Sequence, residues 1–320
     1  MTLKDLPPTP EGKIGCPWTK HSEQLPDKMP DGLEWPLISI VTPSYNQGQF
    51  LEETILSVLW QGYPNLEYII IDGGSTDNSV DIIKKYEKYL SYWISEPDGG
   101  QSHAINKGFA ISTGEIMAWL NSDDLLLPGA LQTVAQTLCK NPQTDIITGA
   151  WISYSYPSGK FFGTRACGVG LHPTMAVLLA QRAYLGQHST FWRRRVWQDA
   201  GPLSENLHYA MDHDFFLRCS DNGFKFKLLP AHLAAFRQHS HQKTSQWQKY
   251  AAESEESMSK YKQRTEWQSF MGKCKLSIAR KLISLGHHRN THPRLGLVPK
   301  LDQQKIQSWF DQLKKYKEVN

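Results

Sequence analysis

The stretch 38–72, ISIVTPSYNQGQFLEETILSVLWQGYPNLEYIIID, changes its periodicity twice, and those changes decide the fold. ISIVTP, from Ile38 to Pro43, is a short apolar run rich in β-branched residues and reads as a strand. From Phe50 to Gln61 the apolar residues Leu51, Ile55, Val58 and Leu59 fall at helical steps, and Glu67 to Asp72 is strand-like again. Strands that are apolar throughout, separated by an amphipathic helix, predict parallel neighbours joined by a right-handed crossover, with both sheet faces covered.

The alternation continues outward. The spacing predicts a helix from about Asn78 to Tyr89, capped by Thr76 or Asp77, a strand at Tyr92 to Ser95, and a helix near Ser102 to Ile111. A strand at Ile116 to Leu120, a helix over Pro128 to Lys140 and a strand at Asp145 to Gly149 close the series. The expected fold is α/β, with a Rossmann-like, mostly parallel central sheet. Open sheets of this kind bind ligands at the carboxyl ends of their strands. The residues just past each strand are Ser44-Tyr45-Asn46, Asp72-Gly73-Gly74-Ser75, Asp98-Gly99-Gly100-Gln101 and Asn121-Ser122-Asp123-Asp124. Each alone is an ordinary turn composition, but four such clusters at one edge predict a site. The adjacent carboxylates Asp123 and Asp124 end an apolar run, where desolvation and mutual repulsion both cost free energy, so a cation is expected beside them. DGGSTD and INKG match neither a dinucleotide nor a P-loop fingerprint. A carboxylate-rich edge suits a hard divalent cation, Mn or Mg, bridging diphosphate oxygens.

With 40% hydrophobic and 21% charged residues in 320, the chain has the composition of a globular protein with one main domain and an appendage. Residues 1–36 hold seven prolines and no sustained period, which predicts an extended leader lying against the body. Residues 37–242 form the expected main domain. Residues 243–320 are a basic, mostly helical extension: Lys and Arg exceed Asp and Glu there by 9, whereas residues 1–242 carry a balance of −5. The five cysteines are odd in number and contain no CxxC pair, so a reducing compartment fits. With no stretch approaching the ~20 apolar residues of a membrane span, the expected location is the cytoplasm.

Taken together, residues 38–79, the GGQSHAINKG segment, GEIMAWLNSDD and AMDHDFFLR resemble the family 2 glycosyltransferases, inverting enzymes that use nucleotide-diphospho-sugar donors on the A-type glycosyltransferase fold. The resemblance spans roughly 37–240 and implies a catalytic domain over 37–242, with a nucleotide-binding half at 37–125 and an acceptor half at 126–242. It implies that Pro43, Tyr45, Asn46, Asp72, Asp98, Gln101, Asn106 and Asn121 face the nucleotide, that Asp123 holds a divalent metal on the diphosphate, and that Asp212 is the catalytic base. Asp124 and His239 are further metal candidates. Three positions depart from the family pattern: Asn121 stands at the first Asp of the DxD motif, Gly73 at a second Asp that pairs with uracil, and Met211 at the Glu of a Glu-Asp pair. The implied partners are a nucleotide-diphospho-sugar, a UDP-sugar, and a glycan or lipid-linked saccharide acceptor of cell-surface polysaccharide synthesis.

By their residues alone several of these positions have structural readings. Asp212 stands where a helix cap or first-turn carboxylate would, and Asp124 where it could cap the helix after Pro128. His239 competes with His241, and Arg237 and Lys243 either touch the diphosphate or are solvated. Asp214 is expected to orient the loop or the acceptor. From Met258 to Leu285 apolar residues recur at helical steps with interleaved Lys and Arg, either packing on the domain or lying on an anionic inner leaflet. No nucleic-acid module is present in the sequence. Two rival functions are a sugar-phosphate nucleotidyltransferase, although SYNQGQF lacks that class's basic phosphate loop, and a catalytically degenerate sugar-nucleotide-binding scaffold.

Overall fold

A computed structural model of the protein describes residues 3–13, 15–156, 158–165, 175, 178, 185–240 and 242–261. Its first half follows the sequence periodicities closely. Strand β1 (Ile38–Ser44) leads through helix α1 (Gly48–Leu59) to β2 (Leu66–Asp72), then through α2 (Ser79–Tyr86) and a 3-10 turn (Glu87–Tyr89) to β3 (Tyr92–Ser95). Helix α3 (Gln101–Ile111) returns the chain to β4 (Ile116–Trp119) on the opposite side of β1. The pairings β3-β2-β1-β4 are all parallel. Because the chain builds outward from β1 and then jumps back past it, the direction of the sheet's growth reverses at β1, the place where such folds open a crevice.

The second half departs from the expected alternation. After the short β5 (Leu125–Leu126) and α4 (Ala130–Lys140), strand β6 runs from Ile146 to Ser155, twice the length of the expected DIITG strand. It does not sit beside β4. Strand β8 (Thr190–Arg193) is inserted between them, antiparallel to both. Strand β9 (Phe226–Gln238) pairs parallel with β6 and antiparallel with β5, while β7 (Phe161–Arg165) pairs antiparallel with β6. Helices α5 (Arg194–Ala200) and α6 (Met211–Asp221) complete the body, and 247–261 forms a further helix, α7. The sequence expectation for Met258 to Leu285 is met only at its start; residues 262–285 lie outside the described residues.

Strand alternation divides the core into two layers. Ile38, Ile40, Tyr68, Ile70, Ile116 and Ala118 pack beneath α1, α2 and α4, while Val41, Ile69, Ile71, Met117 and Trp119 pack against α3, α5 and α6. The approach of α3 is close: a Cβ at Gly108 would fall 2.5 Å from Val41 Cγ1, so a side chain there would push the helix off the sheet. The leader's Leu6, Trp18, Met29 and Trp35 join the first layer, with Trp18 Nε1 donating to Glu53 Oε1 at 3.2 Å. Asp77 acts at two helix starts, accepting from Ser79 N at 2.9 Å and Gly48 N at 2.9 Å. Among the described residues no helix is long and apolar enough to cross a membrane.

Candidate functional site

A cavity of about 690 Å³ opens at the carboxyl edge of β1 and β4. Pro43, Tyr45, Asp98, Gln101, Asn121, Asp123, Asp124 and Asp212 all line it, so most of the singled-out residues do converge. Tyr45 is 62% exposed, a flat aromatic face at the opening. The loop behind it is tied down by Asn46, whose φ of 51° places it in the left-handed region. Its Oδ1 accepts from Thr76 N at 2.8 Å and its N–H donates to Ser75 Oγ at 2.8 Å.

Three of the expected nucleotide contacts do not line the cavity: Asn46, whose polar groups are taken up by Ser75 and Thr76, and Asp72 and Asn106. Asp72 is fully buried, and its carboxylate accepts from Ser75 N (2.8 Å), Ser75 Oγ (2.6 Å) and Ser95 Oγ (2.7 Å), which locks the ends of β2 and β3 behind the cavity wall. Asn106 points to the far side of α3, where its amide pairs with both the N–H and the C=O of Leu203 and with Glu205 Oε1. Asp98 stands over Gly73: a Cβ there would come within 3.0 Å of the Asp98 carboxylate, whose Oδ1 also accepts from Gly100 N at 2.7 Å. Across the cavity floor runs a chain of amides. Gln101 Nε2 donates to Asn121 Oδ1 (2.7 Å), Asn121 Nδ2 to Gln187 Oε1 (3.3 Å), and Gln187 Nε2 to the Trp119 carbonyl (2.6 Å). This chain fixes the orientation of Asn121.

The adjacent carboxylates separate into different environments. Asp123 faces the cavity, its Oδ2 3.0 Å from His239 Nε2. Asp124 is 1% exposed, accepts from Arg237 N at 3.2 Å through Oδ1, and has no hydrogen-bond partner for Oδ2 among the described residues. Burial, and then the negative Asp123 beside it, hold the Asp124 carboxyl well above the usual carboxylate range. His188, whose Nδ1 lies 3.9 Å from Asp124 Oδ2, is stacked on Phe236 and pulled down to about 3 by burial, so its imidazole is neutral. Two like charges therefore need not share the turn. Arg237 is neither solvated nor at the cavity, because Glu53 Oε2 and the Tyr154 hydroxyl, each at 2.8 Å, hold its guanidinium over the Phe50 ring. Lys243 does line the cavity, with Nζ donating to the His208 carbonyl at 3.1 Å.

Among the described residues no group of three or more His, Cys, Asp or Glu side chains is arranged to hold a metal alone. Asp123 offers an oxygen at the cavity wall, with His239 Nε2 3.0 Å from that carboxylate and the unpartnered Asp124 Oδ2 nearby. That donor set fits a divalent cation that takes the rest of its shell from phosphate oxygens and water.

On the opposite wall Asp212 lies in the first turn of α6. The cap position is Ala210, which makes no side-chain cap bond, so Asp212 is not the helix cap. Burial raises its carboxyl to about 6, with the N–H groups of His213 and of Asp212 itself pulling the other way; His213 N donates to Oδ1 at 2.7 Å. Asp214 is buried and paired with Arg218 at 3.0 Å. Sequence reasoning missed Gln187, His188, Tyr209 and Phe236. They lie on a 3-10 turn, a loop and a late strand, in segments whose local composition carries no signal, and they come together only through the inserted β8 and the β6–β9 pairing.

Comparison with known proteins gives the family and the fold. The family model described as Glycosyl transferase family 2 matches residues 39–229. The chain is 33% identical over 129 residues to glycosyltransferase GlyG of Streptococcus pneumoniae, covering 39% of this chain and 42% of the relative. It is 30% identical over 196 residues to chondroitin synthase of Pasteurella multocida, covering 61% of this chain and 20% of that one. The chain thus spans less than half the length of these two relatives. Among solved structures, S. aureus TarS in complex with UDP-GlcNAc matches with a TM-score of 0.53 at 17% identity, covering 65% of this chain and 60% of TarS. The mannosyltransferase PcManGT from Pyrobaculum calidifontis, in complex with GDP-Man and Mn²⁺, matches with a TM-score of 0.55 at 15% identity, covering 94% and 91%. At such identities the two structures establish the shared fold.

Proposed function

The chain belongs to glycosyl transferase family 2, and from that premise we propose that it is a divalent-cation-dependent, inverting glycosyltransferase that moves a sugar from a UDP-sugar to a hydroxyl of a glycan or lipid-linked saccharide. The observation that carries this reading is one cavity lined both by Asp123, which His239 Nε2 contacts at 3.0 Å, and by Asp212, whose carboxyl is raised to about 6. In the reaction the acceptor oxygen bonds to the anomeric carbon, the bond from that carbon to the diphosphate breaks, and the acceptor's proton passes to Asp212. A carboxylate whose pKa lies just below neutrality is ionised at pH 7 and still basic enough to take that proton. The cation, when bound, offsets charge on the departing diphosphate. Asp123 and His239 would hold it, and Tyr45 at the opening offers a face on which a nucleobase stacks.

UDP is the preferred nucleotide because TarS carries UDP-GlcNAc, whereas the archaeal neighbour carries GDP-Man. The acceptor class follows two relatives, chondroitin synthase of Pasteurella multocida and a putative teichuronic acid biosynthesis glycosyltransferase of Bacillus subtilis. Contact with an anionic leaflet through the basic tail belongs to the same reading and is tested by vesicle sedimentation. The central experiment is a thermal-shift panel of nucleoside diphosphates and their sugars, with and without Mn²⁺ or Mg²⁺. UDP at ~100 times its Kd should stabilise the fold by ~2.7 kcal/mol, and only with a cation present. A panel in which no nucleoside diphosphate shifts the melting temperature under either condition overturns the reading.

A further inference from the structure

The residues just before Asp212 are held by a segment that lies beyond the family-matched span 39–229. One carboxylate, Glu253 on α7, accepts three consecutive main-chain N–H groups: His208 N at 3.1 Å through Oε1, and Tyr209 N at 2.7 Å and Ala210 N at 2.9 Å through Oε2. Consecutive N–H groups converging on one anion form a concave, anion-binding turn, and bonds to a carboxylate are among the strong ones. Ala210 is the cap position of α6 and has no side-chain acceptor of its own, so an outside carboxylate orders the entry to the helix.

The same three residues are gripped at other points. Lys243 Nζ donates to the His208 carbonyl at 3.1 Å, and the Tyr209 hydroxyl lies 3.1 Å from Gln246 Oε1 and 3.3 Å from Lys249 Nζ. Tyr209 and Asp212 both line the cavity. Helix α7 does not need Glu253 to dock, because Met258 joins the core and Tyr250, Ser254 and Ser257 are buried. The carboxylate therefore orders the loop more than it anchors its own helix.

We propose that Glu253 is a positioning residue for the transfer step, fixing the main chain from which Tyr209 and Asp212 enter the cavity. This rests on the reading of Asp212 as the base. A base must sit within hydrogen-bond reach of the proton it takes, and a displacement of ~1 Å costs up to ~100-fold in rate. The residue acts only through the loop, so donor binding at Tyr45 and Asp123 should not feel it.

The test uses the full chain and follows UDP release from a UDP-sugar, with water or a saccharide as acceptor, together with UDP affinity and amide hydrogen exchange over 208–213. Glu253→Ala should lower kcat by ~10- to 100-fold, leave donor KM and UDP affinity within ~2-fold, and speed exchange of the 208–210 amides. Glu253→Gln keeps an oxygen for the Tyr209 and Ala210 N–H groups and loses only the His208 bond, so it should return kcat to within ~5-fold of wild type. An active wild type with an equally active Glu253→Ala chain overturns the proposal alone. So does a variant whose kcat and UDP affinity fall together in step with the folded fraction, which is the mark of a purely structural role. A wild-type chain that turns over no donor removes the functional reading, and this proposal with it.

Discussion

Replacing Asp212 by Asn separates catalysis from stability in opposite directions. In the folded chain burial raises this carboxyl from 3.8 to about 6, while His213 N–H and its own N–H favour the ion. A group whose folded pKa lies above its unfolded value binds its proton more tightly in the native state. The ionised side chain therefore costs stability, and the cost grows as pH rises from about 4 to about 6 and then levels off. At ~1.4 kcal/mol per unit, the shift corresponds to a ceiling of ~3 kcal/mol above pH 7, with roughly half of it gained between pH 5 and pH 7.5. Asn cannot ionise but can still accept the His213 N–H at 2.7 Å, so Asp212→Asn should be more stable than wild type at pH 7.5, and by less at pH 5. Urea unfolding at the two pH values measures this. The same variant cannot take a proton from the acceptor, so transfer should fall by ~10²- to 10⁴-fold with UDP affinity unchanged. Wild-type transfer should decline about tenfold per pH unit below about 6. A variant that transfers at the wild-type rate refutes the base assignment. One that is less stable than wild type at pH 7.5 refutes the desolvation argument, and would mean that the N-terminal field of α6 favours the charge.

Asp123→Ala should abolish the cation dependence of UDP binding in titration calorimetry while leaving the unfolding midpoint near wild type, since the side chain is partly exposed and, among the described residues, its side-chain bond is to His239. Tyr45→Ala should weaken UDP by ~1–3 kcal/mol through lost stacking, and Tyr45→Phe should bind nearly as wild type; equal loss in both would point to the hydroxyl. Arg237→Ala should destabilise the fold by ~3–5 kcal/mol in urea unfolding, because it strands Glu53 and leaves a hole beside Phe50 in a site only 1% exposed.

Local periodicity is enough to specify the parallel half of the sheet. Strands such as Ile38 to Pro43 and Glu67 to Asp72, and helices such as the one over Phe50 to Gln61, announce themselves through periods of 2 and 3.6 that neighbouring residues carry, so the edge where their carboxyl ends meet could be named without coordinates. The sequence also brings Tyr45, Asp98, Gln101, Asn121 and Asp123 to one place, because each lies just past a strand, whereas Asp212 is assigned there only by the family resemblance. What lies across the sheet was decided by tertiary structure. The insertion of β8 between β4 and β6, which puts Gln187 at the cavity and His188 beside Asp124, depends on pairings between segments far apart in the chain that no local period encodes. The fates of individual polar groups were settled in the same way. Asp72 and Asn106 look like ligand contacts in a linear reading, yet Ser75, Ser95 and the Leu203 main chain take up their hydrogen-bonding capacity. Asp123 and Asp124 are equivalent on paper, but burial beneath β9 separates them. Whether a carboxylate is charged, and whether it meets a ligand or a serine, depends on desolvation and on partners supplied from distant segments, and only the packed chain brings those together.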